Sequence, residues 1–289
     1  MTQGPDRAPQ PAATRIGSAD WQPAAIARRH DEVRAYLDDV VTLPTLRLVA
    51  ARAMELLALA PGNAVLEVGC GTGVFLPLLA RAVGPTGRVV GLDHAPTFVA
   101  EARARVATDG LAATVTVEEG DAYHLPFPDA AFDAAHCERV LMHLDDPDAA
   151  LRELRRVVRP GGRIVAVEPD WGGLRMDHPD RAALDLLYAH YLARMRQPDM
   201  GLTLNRRFAR AGLVERAIVP FVGGGTDVAT LRRIGLDLRP AAAALVAEGT
   251  IDTARAEAAL AYFDDASRDA TCYSYTTMFV ALGRVPVPE

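Results

Sequence analysis

An α/β fold built on a parallel, doubly wound sheet is what this 289-residue sequence predicts, on three observations. From Ala64 onward, short apolar runs alternate with stripes at helical period, the pattern that lays helices over both faces of a parallel sheet. A glycine-rich crossing, Gly69-Cys70-Gly71-Thr72-Gly73, joins the first apolar run to the first of those stripes. Asp93 ends the second run, on the edge where such sheets bind ligands.

The elements follow in order. Residues 1–20 are Pro, Ala, Gly and polar residues without periodicity, which predicts a flexible tail. Residues 21–60 predict an N-terminal helical cap, with apolar positions at Ile26, Val33, Leu37 and Val40, then at Leu46, Val49 and Leu56. Pro61-Gly62 ends the cap, and residues 61–172 are the expected core. Ala64–Val68 reads as the first strand, followed by a helical stripe through Val74, Phe75, Leu78, Leu79, Ala82 and Val83. Arg88–Leu92 is the second strand and Ala95–Ala107 its helix; Thr114–Glu118 and Phe132–Cys137 are the third and fourth strands. Asp146-Pro147 is a capped helix start, Leu151, Leu154 and Val158 its buried stripe, and Pro160-Gly161-Gly162 its stop. Arg163–Val167 is the fifth strand.

After Trp171 the alternation lapses, and residues 173–289 are expected to supply lid helices, a helical insertion and two further strands. Leu184, Leu187, Tyr188, Tyr191, Leu192 and Met195 mark an amphipathic helix, Asn205–Ala211 another, Leu213–Val222 a strand, Val228–Arg268 the insertion and Cys272–Leu282 the final strand.

Composition excludes several chemistries. All 31 basic residues are Arg, so a P-loop lysine, a Schiff-base lysine and a lipoyl or biotinyl lysine are impossible. A formal charge of −6 opposes a nucleic-acid partner, which favours a basic face. The three cysteines, Cys70, Cys137 and Cys272, have no CxxC spacing, which argues against a disulfide framework or structural zinc. No apolar run is long enough for a membrane span, and the first residues lack a secretion-signal pattern. A reducing, cytoplasmic setting is the expectation.

The glycine crossing narrows the ligand. A nicotinamide fingerprint puts its third glycine at Val74, where β-branched bulk hinders helix–strand packing. Glu67 stands two residues before the first glycine, an anion that disfavours a pyrophosphate and suits a cation. A carboxylate at Asp93 can take both ribose hydroxyls through charged hydrogen bonds, roughly 1.5–3 kcal/mol each. Adenosine with a cationic tail and no phosphate is the ligand these residues describe.

With these pieces in place, the sequence resembles the class I S-adenosylmethionine-dependent methyltransferases, in the small-molecule group that includes the quinone C-methyltransferases. The resemblance covers about residues 61–172. Its parts are Val65–Gly73, Gly91-Leu92-Asp93-His94-Ala95, Gly120-Asp121-Ala122 with Leu125-Pro126-Phe127, Phe132-Asp133, His136-Cys137-Glu138 and Leu154 to Gly162. It implies a Rossmann-like seven-stranded sheet in order 3-2-1-4-5-7-6, with the last strand antiparallel. It also implies S-adenosyl-L-methionine as cofactor, with Gly69, Cys70, Gly71 and Gly73 wrapping its methionine part. Glu67 would orient that loop or meet the amino group, Asp93 would hold the ribose, and His94 would lie beside adenine or ribose. Asp121 would accept the adenine amino group with Ala122 adjacent, and Glu138 would lie under the methionyl chain.

For methyl transfer the resemblance and the placement after the fourth strand point to His143 as general base. Asp170, after the fifth strand, is expected to orient it or to bind a substrate hydroxyl. Glu138 and Asp170 resemble part of a catechol-type metal site, but no third ligand is evident, so no metal is expected. Met142, Trp171, Met176, Tyr188, Tyr191 and Met195 predict an apolar lid for a ring-bearing small-molecule acceptor, with specialised metabolism the first expectation and quinone C-methylation the second. A non-methylating cyclase or binding protein of the same fold carries the same cofactor residues and stays open, as does a homodimer.

Overall fold

The computed structural model describes residues 21–226 and 235–288. The expected tail of residues 1–20 and the first part of the expected 228–268 insertion lie outside them.

Seven strands form one sheet: β1 (Ala64–Val68), β2 (Arg88–Asp93), β3 (Val115–Glu119), β4 (Phe132–Glu138), β5 (Val158–Met176), β6 (Val214–Gly225) and β7 (Ser274–Arg284). Their order is β3-β2-β1-β4-β5-β7-β6. β1 runs parallel to β2 and β4, β2 to β3, and β4 to β5. β7 lies antiparallel between β5 and β6, as the resemblance implies. Because the parallel strands are covered on both faces, they read as near-continuous apolar runs; four of the five residues of β1 are buried.

Helices follow the strands: α4 (Leu76–Val83), α5 (Pro96–Thr108) and α6 (Pro147–Val157). Asp146 caps α6 as predicted, its side chain accepting the Ala149 N–H at 3.0 Å. The cap comprises α1 (Pro23–Arg28), α2 (His30–Val40) and α3 (Pro44–Leu57); beyond the core come α7 (Arg181–Leu192), α8 (Met200–Arg210), α9 (Arg239–Ala247) and α10 (Thr253–Asp269).

Several bounds differ from the sequence reading, among them the helix read as Asn205–Ala211, found as Met200–Arg210, and two differences bear on the site. The helix after the glycine crossing begins at Leu76 rather than Val74, because Gly73 holds φ at +80° and the chain is still turning there. Strand β5 is far longer than Arg163–Val167, since Val158 already pairs with Phe132 and the strand continues past Trp171 along β7 to Met176.

One apolar core lies on the α6, α7 and α8 face of the sheet, and a second under α3, α4 and α5. A small third cluster, Ile26, Val33, Leu37, Ala95 and Phe98, ties the cap to α5. Arg105 strengthens that join by donating to the Thr72 carbonyl at 2.9 Å and to Asp38 at 3.0 Å. The three cysteines are free and buried. No described helix is long and apolar enough to cross a membrane.

Candidate active site

The carboxyl ends of β1, β2 and β4 open into a cavity of about 1120 Å³, somewhat larger than most small-molecule sites. Its floor is the glycine crossing. The N–H groups of Gly69 and Cys70 both donate to the Leu92 carbonyl, at 2.7 and 3.1 Å, which locks the crossing onto the end of β2. Gly69 has φ +71°, and a Cβ there would lie 2.3 Å from a Val140 methyl carbon. Only glycine fits, because the loop after β4 presses onto it.

Glu67 and Glu138, from neighbouring strands, face the cavity together with Asp93 and Asp121. Asp93 accepts the Gly71 N–H at 2.8 Å on Oδ2 and the Ala95 N–H at 2.9 Å on Oδ1, leaving Oδ2 a second lone pair for a sugar hydroxyl. His94 sits between two oxygens: Nδ1 is 3.3 Å from Asp93 Oδ1 and Nε2 is 2.9 Å from the Trp21 carbonyl oxygen. Its hydrogen bond to Asp93 raises its pKa above the usual imidazole value, against a smaller opposing effect of burial. Asp121 accepts the Tyr123 N–H at 2.9 Å, with Ala122 beside it in the wall. Glu67 meets the fully buried His136 at 2.7 Å, and the Phe75 ring stacks on that imidazole.

The opposite end of the cavity is apolar and roofed by the lid and cap. Met142, Trp171, Tyr191 and Met195 line it, together with Trp21, Tyr36, Val40 and Leu43 from the cap. His143 lines the same space under the Trp21 ring, 4.9 Å between centroids, and its Nδ1 has no hydrogen-bond partner among the described residues. Enclosure, and after it the charges of Arg139, Arg196 and His94, push its pKa down to about 3. The imidazole is therefore neutral and a weak base.

Four residues of the sequence reading stand elsewhere. Gly73 is not part of the cavity wall; its missing Cβ lets α5 approach, since a Cβ would lie 3.1 Å from that of Ala102. Asp170 also misses the wall. Strand alternation turns Pro169 and Trp171 inward, while Asp170 closes a local turn by accepting the Gly173 N–H at 3.1 Å. It makes no hydrogen bond to His143 or Glu138, so the structure does not bring it together with either. Tyr188 is turned away from the cavity, its hydroxyl donating to the Trp171 carbonyl. Met176 likewise lies outside it. Among the described residues no group of three or more His, Cys, Asp or Glu is arranged to hold a metal.

Glu168 was missed. It is fully buried in β5, and its carboxylate accepts the N–H groups of Val140, Leu141 and Met142 at 3.0, 2.7 and 3.4 Å. It thereby fixes the 3₁₀ turn Leu141–His143 that carries Met142 and His143. Burial pushes its pKa up to about 8 despite those three donors. The signal in the sequence is a lone acid inside the apolar run of β5, since a buried carboxylate needs donors.

The residues present fit S-adenosylmethionine. Four carboxylates ring the polar end, suited to a sulfonium and an ammonium, and the Gly69 cradle leaves no room for a side chain.

Comparison with known proteins agrees. Residues 66–166 match the family described as a methyltransferase domain. Over this core the chain is similar to the ubiquinone/menaquinone C-methyltransferases, as the resemblance to class I S-adenosylmethionine-dependent methyltransferases implies. Ubiquinone/menaquinone biosynthesis C-methyltransferase UbiE of Pseudomonas putida is 34% identical over 144 residues, 50% of this chain and 55% of that protein. The 2-phytyl-1,4-naphtoquinone methyltransferase of Synechococcus elongatus is 36% identical, over 46% of this chain and 57% of that protein. An uncharacterized 37.1 kDa protein in transposon TN4556 of Streptomyces fradiae is 41% identical over 66% of this chain and 54% of that protein. The chain thus spans little more than half the length of these relatives. Among solved structures, the [4+2]-cyclase SpnF superposes with a TM-score of 0.59 at 22% identity, covering 92% of this chain and 97% of that one. Geranyl diphosphate C-methyltransferase of Streptomyces coelicolor A3(2) gives 0.53 at 20% identity, over 83% and 78%. Both share the fold.

Proposed function

We propose that this protein transfers a methyl group from S-adenosylmethionine to a small, largely apolar or ring-bearing acceptor of specialised metabolism. The observation that carries this reading is that one undivided cavity joins the carboxylate-ringed end at Asp93 to the apolar end at Trp171 and Tyr191. The cofactor supplies a methyl group activated by a positively charged sulfur. In this reading Gly69, Cys70 and Gly71 bind its methionine part along the backbone, and Glu67 and Glu138 offset its positive charge. Asp93 takes the sugar diol, and His94, Asp121 and Ala122 flank the base.

Met142, Trp171 and Tyr191 orient the acceptor and exclude water. Such alignment alone can supply about 7–11 kcal/mol of the barrier. His143 is a polar group beside the acceptor. The buried free thiols support a reducing, cytoplasmic setting.

Quinone C-methylation is the second reading, favoured by the relatives at 34–36% identity. The decisive experiment is a turnover assay for S-adenosylhomocysteine with hydroxyaromatic and quinol acceptors. Formation of the by-product with either class supports methyl transfer and chooses between them. Tight cofactor binding with no by-product supports a non-methylating cyclase or binding role instead.

A further inference from the structure

Arg139 stands at the end of β4, between the cavity-facing Glu138 and the turn that carries His143. It is one of the few non-glycine residues with positive φ, at +55°. That conformation is held by its N–H donating to the Val167 carbonyl at 2.8 Å. Strained backbone of this kind is retained where the surroundings fix a side chain in one place. The side chain lines the cavity and is only 18% exposed. Its Nε lies 3.4 Å from Glu138 Oε1 without forming a hydrogen bond, and the guanidinium makes none to any described residue.

Two other half-buried arginines are well supplied with acceptors. Arg156 donates to Glu153, Asp129 and the carbonyls of Leu125 and Phe127; Arg207 donates to Thr203, Asp148 and Gln197. A guanidinium carries five donors, and an enclosed one left without acceptors calls for an acceptor from elsewhere.

We infer that Arg139 is the receptor for an anionic group of the acceptor, so that the acceptor binds as a carboxylate or as an ionised hydroxyl. This rests on the methyl-transfer reading above. Chemistry supports it, because His143 is too weak a base to deprotonate an ordinary hydroxyl. An acceptor held as an anion needs no such base. Its oxygen electron pair forms the bond to the methyl carbon as the carbon–sulfur bond breaks, the pair from that bond going to sulfur. Both products are neutral at the reacting atoms and no proton has to be placed. A carboxylate source exists in the cofactor as well, in its methionyl group, and the test separates the two.

The test is calorimetry on the full-length protein, first with S-adenosylhomocysteine, then on that complex with 2-naphthoate or its neutral counterpart 2-naphthamide. The expected result is naphthoate binding roughly ten- to hundred-fold more tightly than the amide, the worth of a charge-assisted hydrogen bond. Arg139→Gln should remove that advantage while leaving the affinities for the amide and for S-adenosylhomocysteine unchanged. Arg139→Lys should restore part of it. No advantage of the carboxylate in the unsubstituted protein, through equal affinity or through no binding, overturns the inference. So does an Arg139→Gln protein whose lost affinity is for S-adenosylhomocysteine, because the guanidinium then serves the cofactor. Failure of the first titration would instead strike the methyl-transfer reading itself.

Discussion

Glu67 and His136 face each other across adjacent parallel strands, in register, with carboxylate oxygen and imidazole Nδ1 2.7 Å apart beneath the cofactor end of the cavity. Burial pulls the imidazole pKa down, but the Glu67 carboxylate outweighs it and the net direction is upward. A raised histidine pKa gives stability that is complete below the unfolded value of about 6.5 and is lost as pH rises through the folded value. Urea midpoints measured from pH 6 to 9 should fall for the parent protein. His136→Leu should show a smaller fall, keeping the part that Glu168 contributes, and lose about 3–5 kcal/mol at pH 6, because Glu67 is left buried without its partner.

Gly69→Ala should cost about 1–3 kcal/mol of stability, read from urea denaturation. Two causes act together: the new Cβ meets Val140 at 2.3 Å, and φ is +71°. Adding Val140→Ala relieves the first and not the second, so the double variant should recover part of the loss. Full recovery would mean the backbone angle costs nothing there.

Glu168→Gln tests the brace behind the His143 turn. A buried carboxylate with pKa near 8 binds its proton more tightly folded than unfolded. Its contribution to stability is therefore complete below about pH 4.3 and is lost as pH rises to about 8. The parent protein should lose stability over that range and the glutamine variant should be flatter. If the two curves run parallel, the carboxylate is already ionised in the folded state.

His143→Ala should lower kcat by no more than about tenfold, with no new limb in the pH–rate profile between pH 5 and 9, since the imidazole is neutral throughout. Its depressed pKa gives stability that is present above the unfolded value near 6.5 and is lost as pH falls toward 3. A drop of a thousandfold or more at saturating cofactor would show proton transfer through this ring.

Trp21→Ala should weaken 2-naphthamide binding to the S-adenosylhomocysteine complex about three- to tenfold in calorimetry, an aromatic contact being worth about 0.5–1.5 kcal/mol. The indole covers His143 while the backbone carbonyl at the same residue still serves His94.

Much of this was legible before any coordinates. Ala64–Val68 is predicted and found with the same bounds, because a strand buried on both faces leaves an unbroken apolar run. The glycine crossing and the carboxylate of Asp93 announce the polar end, since each residue type there has a local reason to be present. The acceptor end was less legible. Trp171 and Tyr188 look alike in sequence as lid aromatics, yet one lines the cavity and the other caps a carbonyl, which depends on how α7 rotates against β5. Asp170 and Glu168 are two acids two residues apart. Glu168 is the one that meets the N–H groups of the loop after β4, a long-range contact that no local pattern records. Arg139 hid among 31 arginines because what singles it out is a buried Nε that makes no hydrogen bond.

The three unpaired thiols sit in different neighbourhoods: Cys70 on the cavity floor against Gly91, Cys137 inside β4, and Cys272 just ahead of β7. Burial holds each of them in the protonated, unreactive form. An alkylating reagent therefore reads local opening, and mass spectrometry of the labelled peptides would time three regions of the molecule against one another. Occupancy of the nucleoside end should delay the first of these clocks and leave the other two running.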